Sequence, residues 1–211
     1  EVTMPEGIEP IKTLLDFEKG VADINSGLNY IPVELSQSNE HKAGGDYALK
    51  ATVTTGGASP AISQIQPQAI GVVDAAKAKY LEMWVKNSST ADFGITWFKI
   101  NGQDVNLGNT EISILENEKW YIAEAYDAET FKIPAGYEGK VRVKLGGEKG
   151  VALQDDKLTG MEFALKENTR TAGAIYFDDV CLIGEPSQPV ARTEVTMPEG
   201  IEPIKTLLDF E

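Results

Sequence analysis

Short runs of alternating apolar and polar residues, separated by turn residues, fill most of the chain after residue 46. In residues 80–86, for example, the aliphatic residues Leu81, Met83 and Val85 alternate with residues that carry a charge or an aromatic ring. Successive side chains of a β-strand point to opposite faces of its sheet, so each run buries one face. The pattern predicts an all-β protein, namely an antiparallel β-sandwich of jelly-roll type with about nine to eleven strands.

Helical periodicity is weak throughout the chain. No segment sustains it beyond about three turns, and residues 73–79 form the best short helix candidate. The last predicted strand covers residues 174–183, where apolar residues dominate.

An exact repeat frames the chain, because residues 1–18 recur without a change as residues 194–211. Identity over this length does not arise by chance. We interpret the chain as one repeat of 193 residues followed by the beginning of the next repeat in a tandem array. A cloning duplication or an engineered permutation is the alternative.

The repeat and the distribution of proline divide the chain into four parts. Residues 1–12 are predicted to be a linker, and residues 13–184 the folded module. Residues 185–203 are rich in proline and charge, which predicts a linker between repeats. Residues 204–211 begin the next repeat and are expected either to pair with the sheet edge of a neighbouring molecule or to lie disordered.

The charge of the chain excludes one class of partner. Its 211 residues carry a formal net charge of −14, whereas a nucleic-acid partner requires a basic surface. No apolar run approaches the roughly 20 residues of a membrane span, and the first residues lack the pattern of a signal peptide. We therefore expect a soluble protein without membrane contact, with any export signal outside this sequence.

Cysteine, histidine and catalytic motifs give little support for an enzyme. Cys181 is the single cysteine and His41 the single histidine, which excludes an internal disulfide and a zinc site made of Cys and His alone. Sites with oxygen ligands remain open. We find neither a nucleophile elbow nor the carboxylate run of jelly-roll glucanases, so we expect no catalytic residues.

Four segments in order carry a resemblance to a known family. They are residues 14–20 (LLDFEKG), 40–50 (EHKAGGDYALK), 80–86 (YLEMWVK) and 175–182 (IYFDDVCL). Together they resemble the calcium-containing β-sandwich carbohydrate-binding modules that accompany secreted bacterial mannanases, xylanases and glucanases. The resemblance implies a non-catalytic module that binds plant cell-wall β-glycan, a catalytic domain and neighbouring repeats in the parent chain, and a secreted or cell-surface location.

The resemblance also implies a structural calcium ion that ties the first strand to the last. Calcium takes six to eight oxygen ligands, partly carboxylates and partly loop carbonyls. Glu18 follows the first strand, Asp178 lies in the last one, and the glycine-rich loop of residues 40–45 is expected to turn its carbonyls inward. The candidate metal residues are Glu18, Glu40, Lys42 and Asp178.

Alternation predicts the direction of the two aspartates in the last strand. Asp178 is expected to point to the core with Val180 and Leu182, and Asp179 to face outward. A buried carboxylate needs a partner, because an unpaired buried charge is costly. The alternative to calcium is that Asp178 accepts hydrogen bonds from turn amides.

A carbohydrate site requires an aromatic face beside polar groups. Trp84 is expected to point outward, since its neighbours Met83 and Val85 face the core. Ordinary packing of the indole is the alternative, and the corresponding alternative function is a structural or adhesive repeat of a bacterial cell-surface protein. The candidate polysaccharide-binding residues are Trp84 as the stacking platform, Glu82, Gln64 and Arg142 for the hydroxyl groups, and Trp120 or Trp97 as a second platform.

Overall fold

The computed structural model describes residues 1–21, 24–29, 33–53, 61–67, 70–127, 130–167 and 173–186. For residues 24–29 and 61–67, and for Trp97 and Glu167, it describes the backbone only. The predicted linker from residue 187 onward and the second copy of the repeat lie outside the described residues.

The described residues form seventeen strands, which we number in chain order. They are β1 (Glu9–Leu15), β2 (Ile24–Asn29), β3 (Val33–Ser38), β4 (Ala48–Val53), β5 (Ala61–Pro67), β6 (Val73–Asp74), β7 (Ala78–Asn87), β8 (Phe93–Ile100), β9 (Gln103–Val105), β10 (Ile112–Glu116), β11 (Lys119–Ile122), β12 (Ala125–Asp127), β13 (Thr130–Ile133), β14 (Glu138–Lys144), β15 (Lys157–Leu158), β16 (Met161–Glu167) and β17 (Gly173–Gly184). The count exceeds the prediction because strands as short as β6 and β15 contain no alternating run that a sequence can show.

Two antiparallel sheets contain nearly all of these strands. The eight-stranded sheet has the order β11-β10-β14-β7-β17-β4-β3, with β1 paired to β17. The seven-stranded sheet has the order β12-β13-β8-β16-β5-β2, with β9 paired to β8, and β6 pairs with β15 separately. The chain crosses repeatedly from one sheet to the other, for example at β7–β8, β13–β14 and β16–β17. The predicted antiparallel sandwich of jelly-roll type is therefore confirmed.

A chain of phenylalanine rings fills the space between the sheets. Phe177 of the eight-stranded sheet lies 5.0 Å from the ring of Phe163, which lies 5.9 Å from that of Phe98. Phe98 in turn lies 6.4 Å from Phe131. All four side chains are buried, so the inward faces of both sheets form one continuous core.

Residues 73–79, the best short helix candidate of the sequence, do not form a helix. Val73 and Asp74 form β6, and Asp74 Oδ1 then accepts a hydrogen bond of 3.1 Å from the N–H of Ala76. Such a local side-chain bond competes with helix formation. None of the described residues forms a helix that is long and apolar enough to span a bilayer. The predicted last strand over residues 174–183 is confirmed by β17.

Residues 1–8 lie against the body of the module, and we call this segment the strap. The N–H of Val2 donates a 2.7 Å hydrogen bond to the carbonyl of Trp120. Met4 and Ile8 pack on a small buried cluster of Tyr80, Cys181 and Ile183. Since β1 begins at Glu9, the first strand includes four residues of the segment that the sequence assigned to a linker.

Candidate functional site

The surface of the eight-stranded sheet that points away from the core, here called the outer face, carries four of the six predicted carbohydrate-binding residues. Strand pairing arranges its central side chains in three neighbouring rows. The middle row contains Ile122, Ser113, Arg142, Glu82 and Cys181. The row on one side contains Lys140, Trp84 and Asp178, and the row on the other contains Lys144, Tyr80 and Ile183.

A buried ion pair holds the centre of the outer face. Glu82, which is only 2% exposed, accepts a 2.6 Å hydrogen bond from Nε of Arg142 through Oε2. Its other oxygen lies 2.9 Å from Nζ of Lys140. Two cations on β14 therefore neutralise one carboxylate on β7, which satisfies the requirement that a buried charge be paired.

The guanidinium of Arg142 stacks on Trp120. Its Cζ atom lies 4.2 Å from the centroid of the indole and 5.5 Å from the centroid of the Tyr80 ring. Because Glu82 fixes the guanidinium, the cation–π contact fixes the orientation of Trp120 as well. Trp120 is half-buried and lies on β11, the edge strand of the sheet.

Trp84 lies on the outer face, as predicted, but its side chain is only 8% exposed. Its cross-strand neighbours are Lys140 and Asp178. Asp178 is covered in turn by the loop of residues 43–47, which follows from the hydrogen bonds described below. The alternation of β7 predicts the face of Trp84 correctly, but this position does not offer an open ring for stacking.

Gln64 and Trp97 belong to the other sheet. Gln64 lies on β5 and pairs with Ala164, and Trp97 lies on β8. Their side chains lie outside the described part of the structure. The backbone alone shows that the six predicted residues do not form one surface, because β5 and β8 are in the seven-stranded sheet.

The prediction that Asp178 points to the core is wrong. A β-bulge between Asp178 and Cys181 includes Asp179, whose φ of 44° is left-handed. Phe177 and Val180 therefore both face the core, while Asp178 faces the opposite side. Asp179 is exposed, as predicted.

The Asp178 carboxylate receives three backbone N–H groups. Its Oδ2 accepts bonds of 2.8 Å from Ala43 and 3.3 Å from Gly44, and its Oδ1 accepts one of 2.8 Å from Asp179. Burial raises the pKa of Asp178 above that of a free aspartate, and these N–H bonds act in the opposite direction. The contacts correspond to the second interpretation of Asp178, an acceptor for turn amides.

Glu18 binds the other end of the same loop. Its Oε1 accepts hydrogen bonds of 2.9 Å from the N–H of Asp46 and 3.0 Å from that of Tyr47. Gly45 has a φ of 53°, and a Cβ atom at this position would overlap Glu18 Oε1. The end of the first strand segment and the last strand are therefore joined through one loop by carboxylate–amide hydrogen bonds.

The four candidate calcium ligands do not form the expected donor set. Glu40 pairs with Lys50 at 2.6 Å and accepts the hydroxyl of Tyr176, and Lys42 Nζ donates to the carbonyl of Asp46. The hydrogen bond from Lys50 lowers the pKa of Glu40. The loop turns N–H groups toward the two carboxylates, whereas calcium needs carbonyl oxygens. Within the described residues, no three Asp, Glu, His or Cys side chains gather at one point. Calcium stays a prediction.

A chelator distinguishes the two interpretations of this loop. We expect EDTA to leave the melting temperature unchanged within the error of the measurement, because backbone N–H groups already donate hydrogen bonds to both carboxylates. Thermal unfolding followed by circular dichroism, with and without added CaCl2, provides the test. A lower melting temperature in EDTA that CaCl2 restores would instead establish the structural calcium ion.

Three features of the outer face were missed by the sequence reasoning. Lys140 follows the same alternation as Arg142 and could have been found from it. Ser113 is 1% exposed, and its Oγ is buried with no hydrogen-bond partner in the part of the chain that the structure describes. The strap beside Trp120 carries no signal in its composition. Cys181 has the expected inert environment, since burial raises the pKa of its thiol to about 12.

A cavity of about 540 Å³ opens at the edge of the outer face. Tyr80, Lys144, Asp156 and Pro5 of the strap are among its lining residues. Its volume is within the usual range for small-ligand pockets. The concave region therefore lies at the Tyr80–Lys144 side of the outer face, and neither Trp120 nor Arg142 lines it.

Comparisons with known proteins give distant similarities of fold. No protein-family model and no curated protein matches the sequence. A carbohydrate-binding module specific for non-crystalline cellulose has a TM-score of 0.48 and 14% identity, with 84% of this chain and 98% of that chain covered. The family 11 module from Clostridium thermocellum in complex with a β-1,3-1,4-mixed-linked tetrasaccharide has a TM-score of 0.45 and 12% identity, with coverages of 83% and 97%. A structure described in work on the promiscuous specificity of carbohydrate-binding modules has a TM-score of 0.49 and 9% identity, and this chain covers 62% of its length.

Proposed function

We propose that this chain is a non-catalytic carbohydrate-binding module that contacts its ligand on the outer face around Trp120. The observation that carries the proposal is the stack of Arg142 on Trp120, with Glu82 behind it. An indole held in a fixed orientation beside charged groups combines the apolar surface and the hydrogen-bonding groups that a sugar ring requires.

The polar groups around Trp120 suit hydroxyl recognition. The side chain of Lys140 is 45% exposed although it also pairs with Glu82, so its ammonium retains free donor capacity toward solvent. Glu82 is 2% exposed and the side chain of Arg142 is 12% exposed, so these two groups hold Trp120 in place, and Lys140 is the charged group beside them that can reach a hydroxyl. A chain of pyranose rings would lie along the outer face with one ring on Trp120.

The ligand class that we propose is plant cell-wall β-glycan, that is mannan, glucomannan or β-glucan. This part of the proposal is supported by the resemblance of the four sequence segments. The same resemblance supports a secreted or cell-surface location and a catalytic domain in the parent chain, which the module would hold near its polysaccharide. Tandem copies would raise the apparent affinity through effective concentration.

Affinity electrophoresis tests the proposal directly. In native gels that contain glucomannan, galactomannan, xylan or mixed-linkage β-glucan, the unaltered chain should be retarded by at least one polymer. Trp120→Ala should abolish this retardation, because the stacking surface is lost. Retardation that is unchanged in Trp120→Ala would remove Trp120 from the site.

Ile122→Ala is the matched control. Ile122 lies two residues further along β11 on the same face and is 51% exposed, so its truncation removes a similar apolar surface without an aromatic ring. We expect this variant to keep the retardation of the unaltered chain. Equal losses in both variants would indicate disruption of β11 and not loss of stacking.

A structural or adhesive repeat is the second candidate function. The low exposure of Trp84 favours it, because the central indole of the sheet is covered. If none of the polysaccharides in the gels retards the chain, the result would support this second function over carbohydrate binding.

A further inference from the structure

Residues 1–18 are integrated into the module by contacts along their whole length. Val2 bonds to Trp120, and Met4 and Ile8 cover Cys181. The strand β1 then pairs with β17 from Glu9, opposite Gly184, to Leu15. Phe17 is 5% exposed and belongs to the main core.

The end of this segment is fixed as firmly as its beginning. Gln37 Nε2 donates a 2.7 Å hydrogen bond to the carbonyl of Phe17, and Glu18 accepts the two loop N–H groups described above. All of these contacts depend on the side chains and backbone of residues 1–18. Residues 194–211 have the same eighteen residues in the same order, so they are able to make the same contacts.

We propose that residues 194–211 are an interchangeable second copy that replaces residues 1–18 on the body of the same molecule. Only one copy can occupy the site at a time, because both would pair with the same edge of β17 and bury their phenylalanine in the same part of the core. The module thus has one site and two competing identical segments.

The length of the chain permits this exchange within one molecule. In the first copy, seven residues connect the contact of Val2 with Trp120 to the pairing of Glu9 with Gly184, a distance of at most about 25 Å. Eleven residues connect Gly184 to Val195, the counterpart of Val2, and they reach about 36 Å when extended. The second copy can therefore reach the strap position and return along the same path.

The same tether makes exchange within the molecule more favourable than exchange between molecules. A short flexible linker gives its two ends an effective concentration of about millimolar. At micromolar protein, the site therefore meets its own second copy far more often than that of another molecule. Exchange between molecules would produce dimers or chains, which is a different outcome of the experiment.

A double-mutant cycle in the full chain tests the proposal. Phe17→Ala alone should lower the melting temperature only slightly, because the second copy supplies Phe210. Phe210→Ala alone should have no effect, because the first copy is intact. The double variant should lose about 10 °C, the loss expected when a buried phenylalanine has no substitute.

Phe177→Ala is the matched control, since Phe177 is also buried in the main core but has no second copy. It should lower the melting temperature by the same amount with Phe210 and with Ala at position 210. The proposal is overturned if Phe17→Ala alone loses as much as the double variant, because the second copy then fails to replace the first.

The methionine methyl groups identify which copy is bound. The chain has four methionines, of which Met83 and Met161 are in the core, and Met197 is the counterpart of Met4. The Phe17→Ala variant is labelled with 13C-methyl methionine, and the methyl signal shifted by the Tyr80 ring should come from Met197. The added substitution Met197→Leu assigns the signal, because it should then disappear. The proposal is overturned if the shifted signal in this variant still comes from Met4. It is also overturned if size-exclusion chromatography with light scattering detects dimers, because the exchange would then take place between two molecules.

Discussion

Glu82→Gln should lower the free energy of unfolding by about 3 kcal/mol, because it leaves two buried or half-buried cations without their carboxylate. The amide oxygen of glutamine can still accept one hydrogen bond, but it carries no charge to balance Arg142, whose side chain is only 12% exposed. The loss corresponds to a fall of about 6–12 °C in the melting temperature. Urea unfolding followed by tryptophan fluorescence measures the change.

Glu138→Gln is the control for this prediction. Glu138 pairs with Lys86 on the same two strands, but its side chain is 56% exposed. Exposed pairs contribute at most about 1 kcal/mol, so this variant should unfold almost as the unaltered chain does. If the two variants are equally stable, Glu82 does not hold the outer face in the way described above.

Asp178→Asn should destabilise the module by about 2 kcal/mol, since an amide has one acceptor oxygen where the carboxylate has two. If the amide oxygen accepts the N–H groups of Ala43 and Gly44, its NH2 group faces the N–H of Asp179. The expected fall in melting temperature is about 4–8 °C. Removal of the carboxyl group also removes the cost of burying it, which limits the effect.

The adjacent residue provides the control for the same chemical change. Asp179 is exposed and left-handed, a conformation that asparagine adopts readily. Asp179→Asn should therefore be nearly neutral. Equal losses in the two variants would argue that the charge near the loop, and not the hydrogen bonds of Asp178, determines stability.

Alternation in β7 predicts correctly which side chains face the core and which face outward. It does not predict how exposed an outward side chain is, because Trp84 and its neighbours are covered by groups distant in sequence. The strap begins at residue 1, the loop covering Asp178 lies at residues 43–47, and Trp84 lies between two other strands. Exposure of one side chain on a sheet depends on all of these segments, and no local pattern contains that information.

The bulge in β17 explains the error at Asp178. One extra residue reverses the faces of all residues on one side of it, and the pair Asp178–Asp179 contains no glycine that would mark the position.

Gln64 and Trp97 illustrate a different limit of prediction from the sequence. Alternation assigns a residue to a face of its own strand, whereas the partner strand, and thus the sheet, is determined by contacts along the whole chain.

The pairing of Glu9 with Gly184 has a mechanical consequence for any protein that contains several such modules. β1 begins and β17 ends at the same end of the β1–β17 pair, and only the strap of residues 1–8 holds the chain ahead of it. Once the strap has detached, tension along the polymer would therefore break the hydrogen bonds of this pair one after another. It would not load all of them at the same time. Each module would yield at low force and lengthen under load, acting as an extensible joint between its neighbours.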